Sequence, residues 1–223
     1  MWVLRQGWSG MKNTFLLCLL LAPLSASSDE VTVESLMTRN TELSAEPETA
    51  QALYQQGQER ARFCFSCHGE DGNSTRDYIP NLASQNPVYL FTQFEKFASG
   101  ERKNYVMSRL APELTADDRI AIAEYFSHQD VKPRTEGEDI SVVPQQSGRQ
   151  LYESMCFACH GTDGHGNEQI PRIAGQPYTF LHSTLLSFHN NEEKRRNSPM
   201  VSVIRNLTEE DLEAVASWVA RMP

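Results

Sequence analysis

The sequence predicts an all-α protein built from two tandem copies of one small helical domain. Three observations carry that reading. No stretch alternates apolar and polar residues with the period of a strand. Apolar residues recur at helical spacing instead, as Leu90, Phe94 and Phe97 do. The second half of the chain also repeats the first, motif by motif and in the same order.

The chain opens on an address. Residues 11–28 run from a basic start at Lys12 through the apolar core Phe15–Ala22 to Pro23 and small residues, the pattern of a secretory signal peptide cleaved before Asp29. The apolar core is far shorter than the ~18 residues of a membrane span. Residues 1–10 fit the pattern poorly, so Met1 and Met11 both stand as candidate starts. Leu17 before Cys18 is too large for a lipoprotein signal, and no lipid anchor is expected. The mature chain is expected to be exported to the periplasm without a transmembrane segment. Its formal charge moves from −9 to −11 once Arg5 and Lys12 leave with the signal. That acidity argues against nucleic acid as a partner. It is concentrated in residues 29–49, read as an irregular tail, and in the Pro- and Gly-containing linker at 128–146.

Between and after these lie an N-terminal domain, 50–127, and a C-terminal domain, 147–223. Each starts with a helix, about 50–63 and 146–155, that runs into Cys-x-x-Cys-His. Glycine-rich turns follow, and His68-Gly-Glu-Asp-Gly matches His160-Gly-Thr-Asp-Gly. Ile79-Pro-Asn-Leu-Ala-Ser-Gln85 matches Ile170-Pro-Arg-Ile-Ala-Gly-Gln176. A middle helix covers about 88–99 and 178–190. A last helix begins at the cap-like Thr115 or Thr208, with acids in its first turn. Its apolar face is Ile120, Ala123 and Phe126 in one half, and Leu212, Val215 and Val219 in the other.

Cys64-Phe-Ser-Cys67-His68 and Cys156-Phe-Ala-Cys159-His160 carry the chemistry. Two thiols three residues apart on a helical turn can each form a thioether to a porphyrin vinyl group, and the following histidine then ligates the iron. Two motifs predict two covalently bound haem c groups. A thioredoxin-like pair would need a preceding strand, which is absent. A zinc site built from two such pairs separates them by ~15–20 residues, whereas 88 lie between Cys67 and Cys156. No cysteine of the mature chain remains for a disulfide, and each domain of about 75–80 residues has a small core that the porphyrin completes.

Met107 and Met200 stand seven residues before Leu114-Thr and Leu207-Thr, and 39 and 40 residues after their histidines. Matched placement predicts that they are the second axial ligands. A thioether favours Fe(II), raises the potential and closes the iron to substrates. His128, His165, His182 and His189 lack repeat partners and read as surface or loop residues. Pro80 and Pro171 could offer a carbonyl to the other imidazole nitrogen of His68 and His160.

Together these motifs resemble the dihaem cytochrome c4 family over about residues 50–223. The resemblance implies two class I cytochrome c domains about a pseudo-twofold axis and His–Met ligation of both irons. It also implies periplasmic electron transfer towards a terminal oxidase, with redox partners such as a membrane oxidase, a quinol–cytochrome c reductase complex or a periplasmic dehydrogenase. The chain departs from its own repeat at Asn191, where the first half has Gly100, and in two extra residues before Met200. No residue suggests bond-making catalysis, so an electron carrier rather than an enzyme is expected. Two other readings stand beside it: the dihaem subunit of a dehydrogenase such as flavocytochrome c sulfide dehydrogenase, and a dihaem peroxidase, which needs an exchangeable iron site.

Overall fold

The computed structural model describes Trp2 and residues 32–133 and 145–223. The signal segment, Trp2 apart, and the greater part of the linker lie outside the described residues. The described part is helical, and no strand occurs among the described residues.

In the first half α1 (Val33–Ser44), α2 (Pro47–Arg60) and α3 (Arg62–His68) precede α4 (Pro87–Ser99), the short α5 (Met107–Leu110) and α6 (Ala116–Ser127). In the second half α7 (Gln145–Leu151) passes through a π-helical turn (Tyr152–Cys156) into α8 (Phe157–His160). Then come α9 (Tyr178–His189), α10 (Met200–Val203) and α11 (Glu209–Ala220). Helix α2 packs on α6 as α7 packs on α11, and α4 lies against α6 as α9 lies against α11. Thr115 and Thr208 both form reciprocal capping boxes, with Asp118 and Asp211 at the third helical position. The predicted apolar faces of these last helices are buried.

Helix α1 corrects the reading of residues 29–49 as irregular. Thr32 caps it through a reciprocal bond with Ser35. Leu36 is buried, and Val33, Met37 and Leu43 pack on the core of the first half. Arg39 reaches Asp117 on α6 at 2.8 Å. Burial of one apolar stripe thus holds a helix whose other face is polar. Asn191 is accounted for as well. It adopts φ +48° at the end of α9, where Gly100 adopts +79° after α4, and Asn tolerates the left-handed region better than other residues with a side chain.

The π-helical turn resolves a mismatch in the repeat. Gly57 crosses α6 seven residues before Cys64, and Gly148 crosses α11 eight residues before Cys156. One extra residue would rotate Cys156 by about 100° around an α-helix. Widening one turn to i→i+5 absorbs it.

Candidate functional site

Each Cys-x-x-Cys-His segment ends a helix. Cys64 and Cys67 lie on one face of α3, three residues apart, and His68 is its last residue. Cys156 closes the π-helical turn, and Cys159 and His160 belong to α8. Gly69 and Gly161 then turn the chain away at φ +82° and +79°. Burial pushes the thiols of Cys64 and Cys156 up to about 11. Both thiols therefore stay protonated at neutral pH, without the lowered pKa of a nucleophilic cysteine.

The two histidines are each held by a proline carbonyl. Nδ1 of His68 lies 2.9 Å from the carbonyl oxygen of Pro80, and Nδ1 of His160 lies 3.1 Å from that of Pro171. A carbonyl only accepts, so Nδ1 carries the proton and Nε2 keeps its lone pair. Burial lowers the pKa of both rings, against the opposing effect of the carbonyl bonds, and favours the neutral form that binds metal. The donor set therefore fits a c-type haem in both halves.

Met107 begins α5 and Met200 begins α10, each partly buried against its own core. A side chain just upstream steadies each backbone N–H: Asn104 Oδ1 at 3.0 Å from Met107 N, and Ser198 Oγ at 3.3 Å from Met200 N. Of the other histidines, His128 and His165 are largely exposed, as expected. His182 and His189 belong to α9 and are only partly exposed, because their helix packs against α11. The ring of His182 stacks on Tyr178 at 5.7 Å, and its Nε2 is buried without a hydrogen-bond partner.

Sequence reasoning passed over two groups. Arg102 and Arg195 each stand five residues before the methionine of their half, over Phe97 and Phe188 respectively. Both guanidiniums lie near Tyr89, whose hydroxyl favours their charge. Burial and the neighbouring Arg102 pull Arg195 down to about 10. Their equal distance from the methionines was the available signal.

The second group joins the halves. Gln85 bonds the backbone N–H and carbonyl of Arg172, both at 2.9 Å. Gln176 bonds the N–H and carbonyl of Asn81, also at 2.9 Å each. Asp77 holds the start of α9 through Thr179, and Lys103 pairs with Glu193. Gln85 and Gln176 end the matched Ile-Pro motifs, so their reciprocity follows the repeat.

Comparison with known proteins agrees with this geometry. Residues 145–223 match the family model for cytochrome c. Cytochrome c4 of Pseudomonas aeruginosa is 31% identical over 173 residues, 73% of this chain and 85% of the relative. A thiosulfate dehydrogenase electron acceptor of Thiomonas intermedia is 30% identical over 183 residues, 73% of this chain and 80% of the relative. The crystal structure of reduced cytochrome c4 from Pseudomonas stutzeri superposes with a TM-score of 0.66 at 27% identity, covering 76% of this chain and 98% of that one. With paired histidines, a doubled helical fold and relatives matched across both halves, the chain belongs to the dihaem cytochrome c4 family, electron-transfer proteins that carry two covalently bound haem c groups on class I cytochrome c folds.

Proposed function

We propose that Cys64 and Cys67 in the first half, and Cys156 and Cys159 in the second, form the thioether links to the two haems. His68 with Met107, and His160 with Met200, supply the axial ligands. The domains that carry these sites are residues 50–127 and 147–223. The observation that carries the reading is the twice-repeated bond from a histidine Nδ1 to a proline carbonyl, which orients each ring and frees Nε2.

When bound, each haem supplies an iron that accepts and returns one electron between Fe(III) and Fe(II). The protein residues bind and hold. The α3 and α8 segments present thiols and imidazole from one short stretch, and Asn104 and Ser198 fix the backbone of the methionines. Arg102 and Arg195, converging on Tyr89, offer paired positive charge to the carboxylates of the cofactors. Among the described residues no helix is long and apolar enough to cross a membrane.

In this reading the protein works in the periplasm and passes electrons between redox partners, towards a terminal oxidase. The relative in Thiomonas intermedia favours a second reading, in which a periplasmic dehydrogenase is the donor and holds the protein permanently as its dihaem subunit. Copurification from a native membrane and periplasmic extract separates the two, since a permanent subunit brings its dehydrogenase in equal amount. Peptide mass mapping tests the attachment sites. Haem-bearing peptides should contain Cys64 with Cys67 and Cys156 with Cys159, and an unmodified cysteine in either pair would refute that attachment.

A further inference from the structure

We infer that Gln176 and Gln85 are positioning residues, each acting on the axial histidine of the opposite half. The inference rests on the ligation proposed above and extends it across the interface.

The link is a single peptide unit on each side. The carbonyl of Pro80 accepts from His68 Nδ1 at 2.9 Å, and the N–H of the same Pro80–Asn81 peptide donates to Gln176 Oε1 at 2.9 Å. Gln176 Nε2 then donates to the Asn81 carbonyl at 2.9 Å, which fixes the orientation of its amide. The second half repeats the arrangement. Pro171 accepts from His160 Nδ1 at 3.1 Å, the Arg172 N–H donates to Gln85 Oε1 at 2.9 Å, and Gln85 Nε2 donates to the Arg172 carbonyl at 2.9 Å. Both glutamines are 4% exposed, so water does not compete for these bonds.

Amide resonance couples the two ends of a peptide unit. An acceptor at N–H draws the electron distribution towards the carbonyl oxygen and makes it a better acceptor in turn, a cooperative gain of roughly 10–30% per bond. A stronger acceptor at Nδ1–H gives the imidazole more anionic character and makes Nε2 a stronger donor. That favours Fe(III), so the glutamine of one half lowers the potential of the haem in the other. Its loss should raise that potential.

The test uses full-length holoprotein carrying Gln176→Leu or Gln85→Leu. Two readouts are taken: the midpoint potential of each haem, and the Nδ1–H proton resonance of each axial histidine in the diamagnetic reduced state. Gln176→Leu should raise the potential of the first-half haem and move the His68 resonance upfield, leaving the second half in place. Gln85→Leu should do the reverse. Gln176→Glu keeps the acceptor and should keep the His68 resonance at or downfield of its wild-type position. Thr179→Val removes the hydroxyl bond to Asp77 and loosens the interface without touching either peptide unit, so both resonances should stay. Shifts confined to the mutated half, no shift in either readout, or the same pattern from Thr179→Val would overturn the inference. A wild-type protein without two ring-current-shifted imidazole N–H signals would instead refute the axial assignment itself.

Discussion

Replacing Gly57 by alanine tests whether helix contact or helix propensity governs the first half. Propensity alone predicts a gain, since alanine in a helix interior is favoured over glycine by ~1 kcal/mol. The packing predicts the opposite. A Cβ at Gly57 would lie 2.0 Å from the carbonyl oxygen of Ala121 and 2.8 Å from Tyr125 Cβ. An ordinary carbon–oxygen contact is about 3.3 Å, so α2 and α6 must part by about 1.3 Å. The obstructing atom belongs to a helix backbone and cannot rotate away. Overpacking of this kind costs ~1–3 kcal/mol, and the rigid obstacle places it at the upper end. Set against the propensity gain, a net loss of about 2 kcal/mol remains, or roughly 4–8 °C in melting temperature. Thermal unfolding of the holoprotein, followed by far-ultraviolet circular dichroism, gives the answer. Gly148→Ala should behave alike, because its Cβ would meet the Ala214 carbonyl at 2.1 Å. An unchanged or raised midpoint in Gly57→Ala would mean that the helices do not cross as closely as described.

Further tests address the charged cap and the iron ligand. The Arg60 guanidinium holds the Asp118 carboxyl below its usual range, with Nε at 2.5 Å and Nη2 at 3.1 Å. A depressed native pKa gives stability that is present above the unfolded value of about 3.9 and is lost as pH falls through the native value. Asp118→Asn should therefore cost ~1–3 kcal/mol at neutral pH and progressively less in acid, read from urea midpoints. A cost independent of pH would remove the ion pair from the explanation. Asp211→Asn, at the exposed equivalent cap, should cost less, because Leu151 stands near the place of Arg60. Met107→Ala should lower the potential of the first-half haem and open its iron to carbon monoxide while the second stays closed. Equal carbon monoxide binding by the wild type would argue against an electron carrier with both ligands retained.

What could be read in the sequence follows the range of each interaction. The Cys-x-x-Cys-His segments, the capped last helices and the middle helices rest on residues within one or two turns of each other, and the repeat doubles every signal. Helix α1 was legible too, in Val33, Leu36, Met37 and Leu43 at helical spacing, but its acids obscured the stripe. The π-helical turn left only a count, eight residues from Gly148 to Cys156 against seven from Gly57 to Cys64, and its meaning needs both crossing points. The reciprocal glutamines lie 87 and 95 residues from their partners, beyond any local pattern. Their place at the end of a matched motif marked them without revealing what they bond. Arg102 and Arg195 are similar: their spacing to the methionines was visible, their convergence on Tyr89 was not.

Near-infrared spectroscopy of the fully oxidised protein at neutral pH reads directly whether methionine sulfur closes both irons. Thioether ligation of low-spin Fe(III) gives a sulfur-to-iron charge-transfer band whose intensity counts the sites. The band should be equivalent to two methionine-ligated irons, one from Met107 and one from Met200, with no high-spin signal. A band equivalent to one site, or a high-spin component, would contradict this ligation, because at least one iron would then lack the sulfur ligand that closes it to substrates.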